Sequence, residues 1–271
     1  MPKGKAIDLN QSSPVNYFSN KIIGTNNYED LKNSDIVVIT AGLPRKPGMT
    51  REDLLLKNAS IIKDVTENLM KYTPSAVFVT VTNPLDVMTQ YMWLLSGKKY
   101  NQVIGMSGIL DSSRFRFFIS EKLGVSPKDV QAMVLGGHGD SMVPLPRFTT
   151  ISGIPITELL SQDEIDKIVD RTRKAGAEIV GYLKTGSAYF APGTGSAEMV
   201  KAILNDENRV FPCSTYLQGE FGLKDVYISV PVILGENGVK KILDIKLNDE
   251  ESEALKKSAL IVKENLDKIT G

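Results

Sequence analysis

The single histidine of this 271-residue chain, His138, stands in the run Leu135-Gly136-Gly137-His138-Gly139-Asp140. Imidazole exchanges its proton near neutrality, so its candidate work is general acid–base catalysis. The flanking glycines allow a ligand or a neighbouring main chain to approach closely. Asp111 and Arg114 lie three apart in Leu110-Asp111-Ser112-Ser113-Arg114, a spacing that puts both on one face of a helix. A carboxylate beside an imidazole fixes its tautomer and raises its basicity. A guanidinium offers a planar fork to a substrate carboxylate. Spacing does not by itself bring the three together, and a loop histidine plus a helix ion pair accounts for the same residues.

Two further runs sit where ligands gather in parallel α/β folds, beyond the carboxyl ends of strands. Pro44-Arg45-Lys46-Pro47-Gly48-Met49-Thr50-Arg51 places two arginines six apart on a Pro- and Gly-flanked loop, suited to closing over an anion or to a plain solvated turn. Thr82-Asn83-Pro84 offers an amide to a ligand, or simply starts a turn. Gly193-Thr194-Gly195-Ser196-Ala197-Glu198 lacks a third glycine and a preceding strand, so it is read as a loop before a helix and not as a dinucleotide site. The lone Cys213 is read as structural. No CxxC, HExxH or GxSxG occurs, which leaves zinc and serine hydrolases and a protein-held metal without support.

The elements that must position these residues are legible in outline. Asp35–Thr40 and Ala76–Thr82 are continuous apolar runs rich in β-branched residues, and both end in turn chemistry. Between them, Leu54, Leu55, Ile61, Ile62, Val65 and Leu69 recur at helical spacing over about Arg51–Tyr72. Strand–helix–strand with continuously apolar strands predicts a parallel sheet. A helix after Pro84 and a short strand at Val103-Ile104 follow. Then come a helix from about Ile109 to Leu123 ended by Gly124, a strand over Val130–Leu135 and a long helix over about Gln162–Lys184. An Asn-Gly hairpin joins Val226–Leu234 to Val239–Leu247. A final helix opens with a capping-box-like Asn248-Asp249-Glu250-Glu251. Lys21–Ile23 is a candidate earlier strand, and the first twenty residues supply one short helix at most.

Composition narrows the field. Lys+Arg and Asp+Glu number 32 each, so charge gives no argument for nucleic acid or an anionic membrane. Apolar residues at 42% and charged residues at 24% are ordinary for a folded chain. No apolar run approaches the roughly 20 residues of a membrane span, and no signal peptide is visible. One cysteine excludes a disulfide framework and fits a reducing, cytoplasmic setting.

Four of these runs occur in one order: 41–51 around Arg45 and Arg51, Thr82-Asn83-Pro84, 110–116 around Asp111 and Arg114, and 135–140 around His138. In that order they resemble NAD-dependent malate dehydrogenases of the lactate-dehydrogenase-like branch, and the similarity covers essentially the whole chain. The resemblance implies a Rossmann-type parallel sheet, N-terminally incomplete, over 1–105 as the remainder of a dinucleotide-binding domain. A mixed α+β substrate domain over 106–271 would follow. It implies His138 as proton acceptor for the malate hydroxyl, Asp111 orienting it, and Arg114 gripping the carboxylate next to the reacting carbon. Arg51 would polarise the carbonyl and Arg45 bind the distal carboxylate. Asn83 would touch substrate and nicotinamide ribose, Asn58 the cofactor, and Val81-Thr82 would line the nicotinamide side. NAD is the implied cofactor, a homo-oligomer (dimer or tetramer) the implied assembly, and the tricarboxylic acid cycle the implied setting. Relatives that reduce pyruvate usually carry Gln at the Arg45 position. Arg45 therefore favours malate over lactate, because a buried second carboxylate needs a cation.

The family's opening strand, Gly-x-Gly-x-x-Gly turn, helix and acidic residue have no counterpart in these residues. Two expectations follow. Either the 271 residues are part of a longer, complete malate dehydrogenase, or they are a catalytically impaired remnant or an interaction partner of full-length subunits. The retention of His138, Asp111, Arg45, Arg51 and Arg114 together favours the first.

Overall fold

The computed structural model of the chain describes residues 1–44 and 50–271. Helices α1 (Pro2–Gln11) and α2 (Ser13–Asn16) come first, one more than the sequence suggests. Strand β1 (Ile36–Ile39), helix α3 (Arg51–Tyr72), strand β2 (Val77–Thr80), helix α4 (Leu85–Ser96) and strand β3 (Val103–Gly105) form the parallel α/β unit the apolar runs predict. Lys21–Ile23 forms no strand. β1 is the edge of the sheet, and no strand among the described residues lies beside it to pair with an earlier one.

Helix α5 (Gly108–Leu123) begins the second half and stops at Gly124, which takes the left-handed conformation at φ 67°. Strands β4 (Val130–Gln131) and β5 (Val134–Gly136) replace the single strand expected over Val130–Leu135. The chain changes sheets there, since Val130 and Gln131 pair with Ile151 and Thr150 while Val134–Gly136 pairs with Met142–Pro144 and, through Gly136, with Ser229. Short strands β6 (Met142–Pro144), β7 (Thr150–Ile151) and β8 (Ile154–Pro155) lead to helices α6 (Gln162–Leu183) and α7 (Phe190–Leu204). Gly193–Glu198 lies inside α7 and is not a loop. A Cβ on Gly195 would stand 3.5 Å from Met106 Sδ and 3.6 Å from Ile109 Cγ2, ordinary contact distances, so α7 packs beside the start of α5 there.

Strands β9 (Arg209–Gln218), β10 (Lys224–Gly235) and β11 (Gly238–Ile242) follow, then helix α8 (Asp249–Thr270). The hairpin turns at Asn237 and Gly238, both at positive φ, but its second arm ends at Ile242 and not at Leu247. α8 opens with the expected capping box between Asn248 and Glu251.

One eight-stranded sheet runs through both halves in the order β1-β2-β3-β9-β10-β5-β6, with β11 beside β10. Its first three strands are parallel and the rest antiparallel. Buried residues of β1–β3, β9 and β10 pack with α3, α4 and α8 into the larger core. Phe115, Phe118 and Ile119 of α5 pack with Ile165 and Ile168 of α6 into a second. α5 thus turns one face to that core and another, bearing Asp111 and Arg114, to the site. Phe115→Ala is expected to lower stability by about 3–5 kcal/mol, read in urea unfolding through the single Trp93. A loss under about 1 kcal/mol would show that this core closes up without the ring.

Candidate active site

Asp111 sits in the first turn of α5, and His138 follows β5 by two residues. The buried Ser112 hydroxyl accepts the Val134 N–H at 2.9 Å, bolting α5 to β5 and fixing how the acid meets the base. Gly136 at φ 87° and Gly139 at φ 113° bend the chain on either side of His138 through conformations that L side chains resist. His138 Nδ1 lies 2.9 Å from Asp111 Oδ2, and Arg114 donates to Asp111 Oδ1 at 3.2 Å. Asp111 is 2% exposed, so both contacts act with little screening by water. The structure therefore brings His138 to the Asp111–Arg114 pair, which spacing alone left separate from it. Arg114 Nε finds no acceptor among the described residues.

Burial is the largest influence on His138 and disfavours its charged form. The charge and hydrogen bond of Asp111, with a smaller contribution from Asp86, outweigh burial and the opposing charge of Arg114. The imidazole pKa is raised above its ordinary value. Asp111→Asn removes the principal raising influence. The expected outcome is a fall in the His138 pKa and a loss of about 10²-fold in turnover. NMR titration of the one imidazole and steady-state kinetics check the two effects, and an unmoved pKa would deny Asp111 this role.

A second group gathers at the carboxyl ends of β1 and β2. Asn58, in the apolar stripe of α3 and 1% exposed, braces the two loops that leave these strands. Its Oδ1 accepts Leu43 N–H at 2.8 Å, and its Nδ2 donates to Asn83 O at 2.7 Å and Leu43 O at 3.3 Å. Thr82 donates its hydroxyl to Ala41 O at 2.8 Å, and Val81 N–H bonds Ile39 O at 2.8 Å. Asn58 and Thr82 thus hold the loops, while the Asn83 side chain stands exposed. Arg51, the first residue of α3, pairs with Asp140 at 3.2 Å, two residues beyond His138. Thr50 caps that helix through a capping box with Asp53. Arg45 lies outside the described residues.

Two residues that sequence reasoning missed complete the surroundings of His138. Its N–H donates to Asp86 Oδ2 at 2.7 Å, and the preceding Gly137 N–H donates to the Ser258 hydroxyl of α8 at 2.8 Å. Asp86, in the first turn of α4, follows Asn83 by three residues in the chain and bonds the His138 main chain. Its sequence signal was an acid at a helix start, which reads as a partner for the helix dipole. Cys213 is fully buried, which pushes its thiol pKa up and fits a structural role.

The profile of the lactate/malate dehydrogenase NAD binding domain matches residues 1–105, and that of the alpha/beta C-terminal domain of the same family matches residues 109–271. A curated malate dehydrogenase of Chlorobium limicola is 55% identical over 269 residues, which are 99% of this chain and 87% of that protein. The crystal structure of Cryptosporidium parvum malate dehydrogenase is similar at a TM-score of 0.96 and 45% identity, covering 99% of this chain and 87% of that one. The lactate dehydrogenase of the same organism, solved with lactic acid and nicotinamide adenine dinucleotide, is similar at 0.95 and 42%, covering 99% and 86%.

Proposed function

Because the chain belongs to the lactate/malate dehydrogenase family, whose members are NAD-dependent 2-hydroxy acid dehydrogenases, we propose that it interconverts malate and oxaloacetate with His138 as the acid–base group. The observation that carries this reading is the buried His138–Asp111 pair at 2.9 Å with Arg114 bonded to the same carboxylate.

In this reading Asp111 holds the neutral imidazole as its Nδ1–H tautomer, leaving Nε2 to accept the malate hydroxyl proton. As the proton moves, the Asp111 charge stabilises the imidazolium. In reverse, Nε2 returns the proton to the carbonyl oxygen. Arg114 receives the carboxylate beside the reacting carbon, Arg51 polarises the carbonyl, and Arg45 pairs the distal carboxylate. Bound NAD supplies the acceptor for the hydride that leaves substrate C2.

The residues present fit the nicotinamide end of that cofactor. A Cβ on Gly42 would come within 2.7 Å of Thr82 Cγ2, so the two loops pass closely and present main chain, with Asn83 exposed beside them. Asn83, the Val81-Thr82 main chain and the loop held by Asn58 are the proposed holding groups. No residue is assigned to the diphosphate end, because the sequence contains no Gly-x-Gly-x-x-Gly.

Malate is favoured over lactate by Arg45 and by the names of relatives above 50% identity. Reduction of oxaloacetate and of pyruvate by NADH, followed side by side, tests the choice. The expected result is a kcat/KM for oxaloacetate at least about 10²-fold higher. A preference for pyruvate would overturn the malate assignment in favour of lactate.

A further inference from the structure

A carboxylate in the first turn of a helix ordinarily stands in water and complements the helix dipole. Asp86 does neither. It is 3% exposed, it makes no capping bond to α4, and its Oδ1 has no hydrogen-bond partner among the described residues. Its Oδ2 accepts the main-chain N–H of His138 at 2.7 Å, and the Ser214 hydroxyl of β9 stands beside the carboxyl as a second, looser donor. Burying a carboxyl with so few donors is costly, and neither donor belongs to the helix that carries the residue. What it secures is the loop that aims the imidazole.

We propose that Asp86 is a positioning residue: it anchors the His138 main chain from α4, while Asp111 holds the imidazole from α5. The anchor is needed because glycines flank His138 on both sides and leave that loop few side-chain contacts of its own. Ser258 secures the neighbouring Gly137 N–H from α8, so two consecutive amides of the loop end on side chains of two different helices. With the main chain fixed, the ring meets Asp111 through Nδ1 in one orientation, and Nε2 is left free of that contact. Burial pushes the Asp86 carboxyl pKa upward, and either charge state leaves Oδ2 able to accept the amide hydrogen. The inference rests on His138 as the acid–base group.

The test uses the full chain and two variants, Asp86→Ala and Asp86→Asn. Asparagine keeps an oxygen able to accept the His138 N–H; alanine does not. His138 is the one histidine in the chain, so the nitrogen shifts of a labelled imidazole report its tautomer without assignment. The wild type and Asp86→Asn are expected to show a locked Nδ1–H tautomer, and Asp86→Ala an interconverting mixture. For oxaloacetate reduction, Asp86→Ala should lower kcat by about 10- to 100-fold, with KM within about threefold of wild type. Asp86→Asn should restore most of the loss. A locked tautomer and full kcat in Asp86→Ala overturn the proposal. So does an asparagine variant as impaired as alanine, which would make the charge, and not the anchor, the working feature. If Asp86→Ala does not fold, Asp86→Leu, which fills the space but cannot accept the His138 N–H, takes its place with the same expected and overturning results. A chain that reduces neither oxaloacetate nor pyruvate removes the function reading, while the tautomer still tests the anchor.

Discussion

Replacing His138 with glutamine lowers kcat for oxaloacetate reduction by about 10²–10⁴-fold at neutral pH, the usual worth of a positioned acid–base group. Glutamine fills similar space and can still bond Asp111, but it carries no exchangeable proton in this range. The loss should fall on kcat, with a smaller change in KM, because proton transfer belongs to the transition state and Arg114 still receives the carboxylate. The pH dependence assigned to the imidazole should vanish with the residue. Thermal unfolding of the variant alongside the kinetics separates lost chemistry from lost fold. A variant keeping turnover within tenfold of wild type would place the proton elsewhere. The described residues give Asp111 no other histidine to hold, since the chain has one.

The second large effect falls on specificity. Arg45→Gln should reduce kcat/KM for oxaloacetate by about 10²–10³-fold, because a distal carboxylate left without its cation loses several kcal/mol of pairing. Pyruvate has a methyl group in place of that carboxylate and should suffer little or improve. The ratio of the two substrates, measured on one preparation, cancels differences in active fraction. An unchanged ratio would remove Arg45 from the substrate site. The prediction rests on the position of Arg45 in the ordered motifs, since the residue lies outside the described part of the structure.

The site was legible in the sequence wherever a local rule applied. Asp111 and Arg114 were paired by helical spacing, and the structure joins them at 3.2 Å. The contact of that pair with His138 is a long-range one, set by the bolt from Ser112 to Val134, and no local pattern carries it. Asn58 breaks the apolar stripe of α3, a visible anomaly, yet its bonds to the main chain of Leu43 and Asn83 needed the fold. Asp86 was hidden because an acid at a helix start has a sufficient local explanation.

The fold shows the same division. α3 appeared from Arg51 to Tyr72 as its apolar period and the capping box at Thr50 require. β9, central in the sheet, escaped notice because most of its residues are buried on both faces. It therefore lacks alternation, and Pro212 and Ser214 dilute its β-forming character. The run Val130–Leu135 looked like one strand because continuity of apolar residues does not reveal a change of partner sheet. Gly193 and Gly195 suggest a loop, yet both lie inside α7, where the helix carries them without a positive φ.

The most direct test of the account is to measure one group in two ways. The His138 titration by NMR and the pH dependence of kcat/KM in both directions should report the same ionisation. Oxaloacetate reduction needs the imidazolium, so it should fall as pH rises through that pKa. Malate oxidation needs the neutral ring, so it should rise across the same interval. With Asp111 raising the value, the interval should lie above the ordinary imidazole range. Coincident curves there are the predicted result. A kinetic ionisation that does not follow the His138 titration, or a His138 pKa below the ordinary value, would contradict His138 as the base.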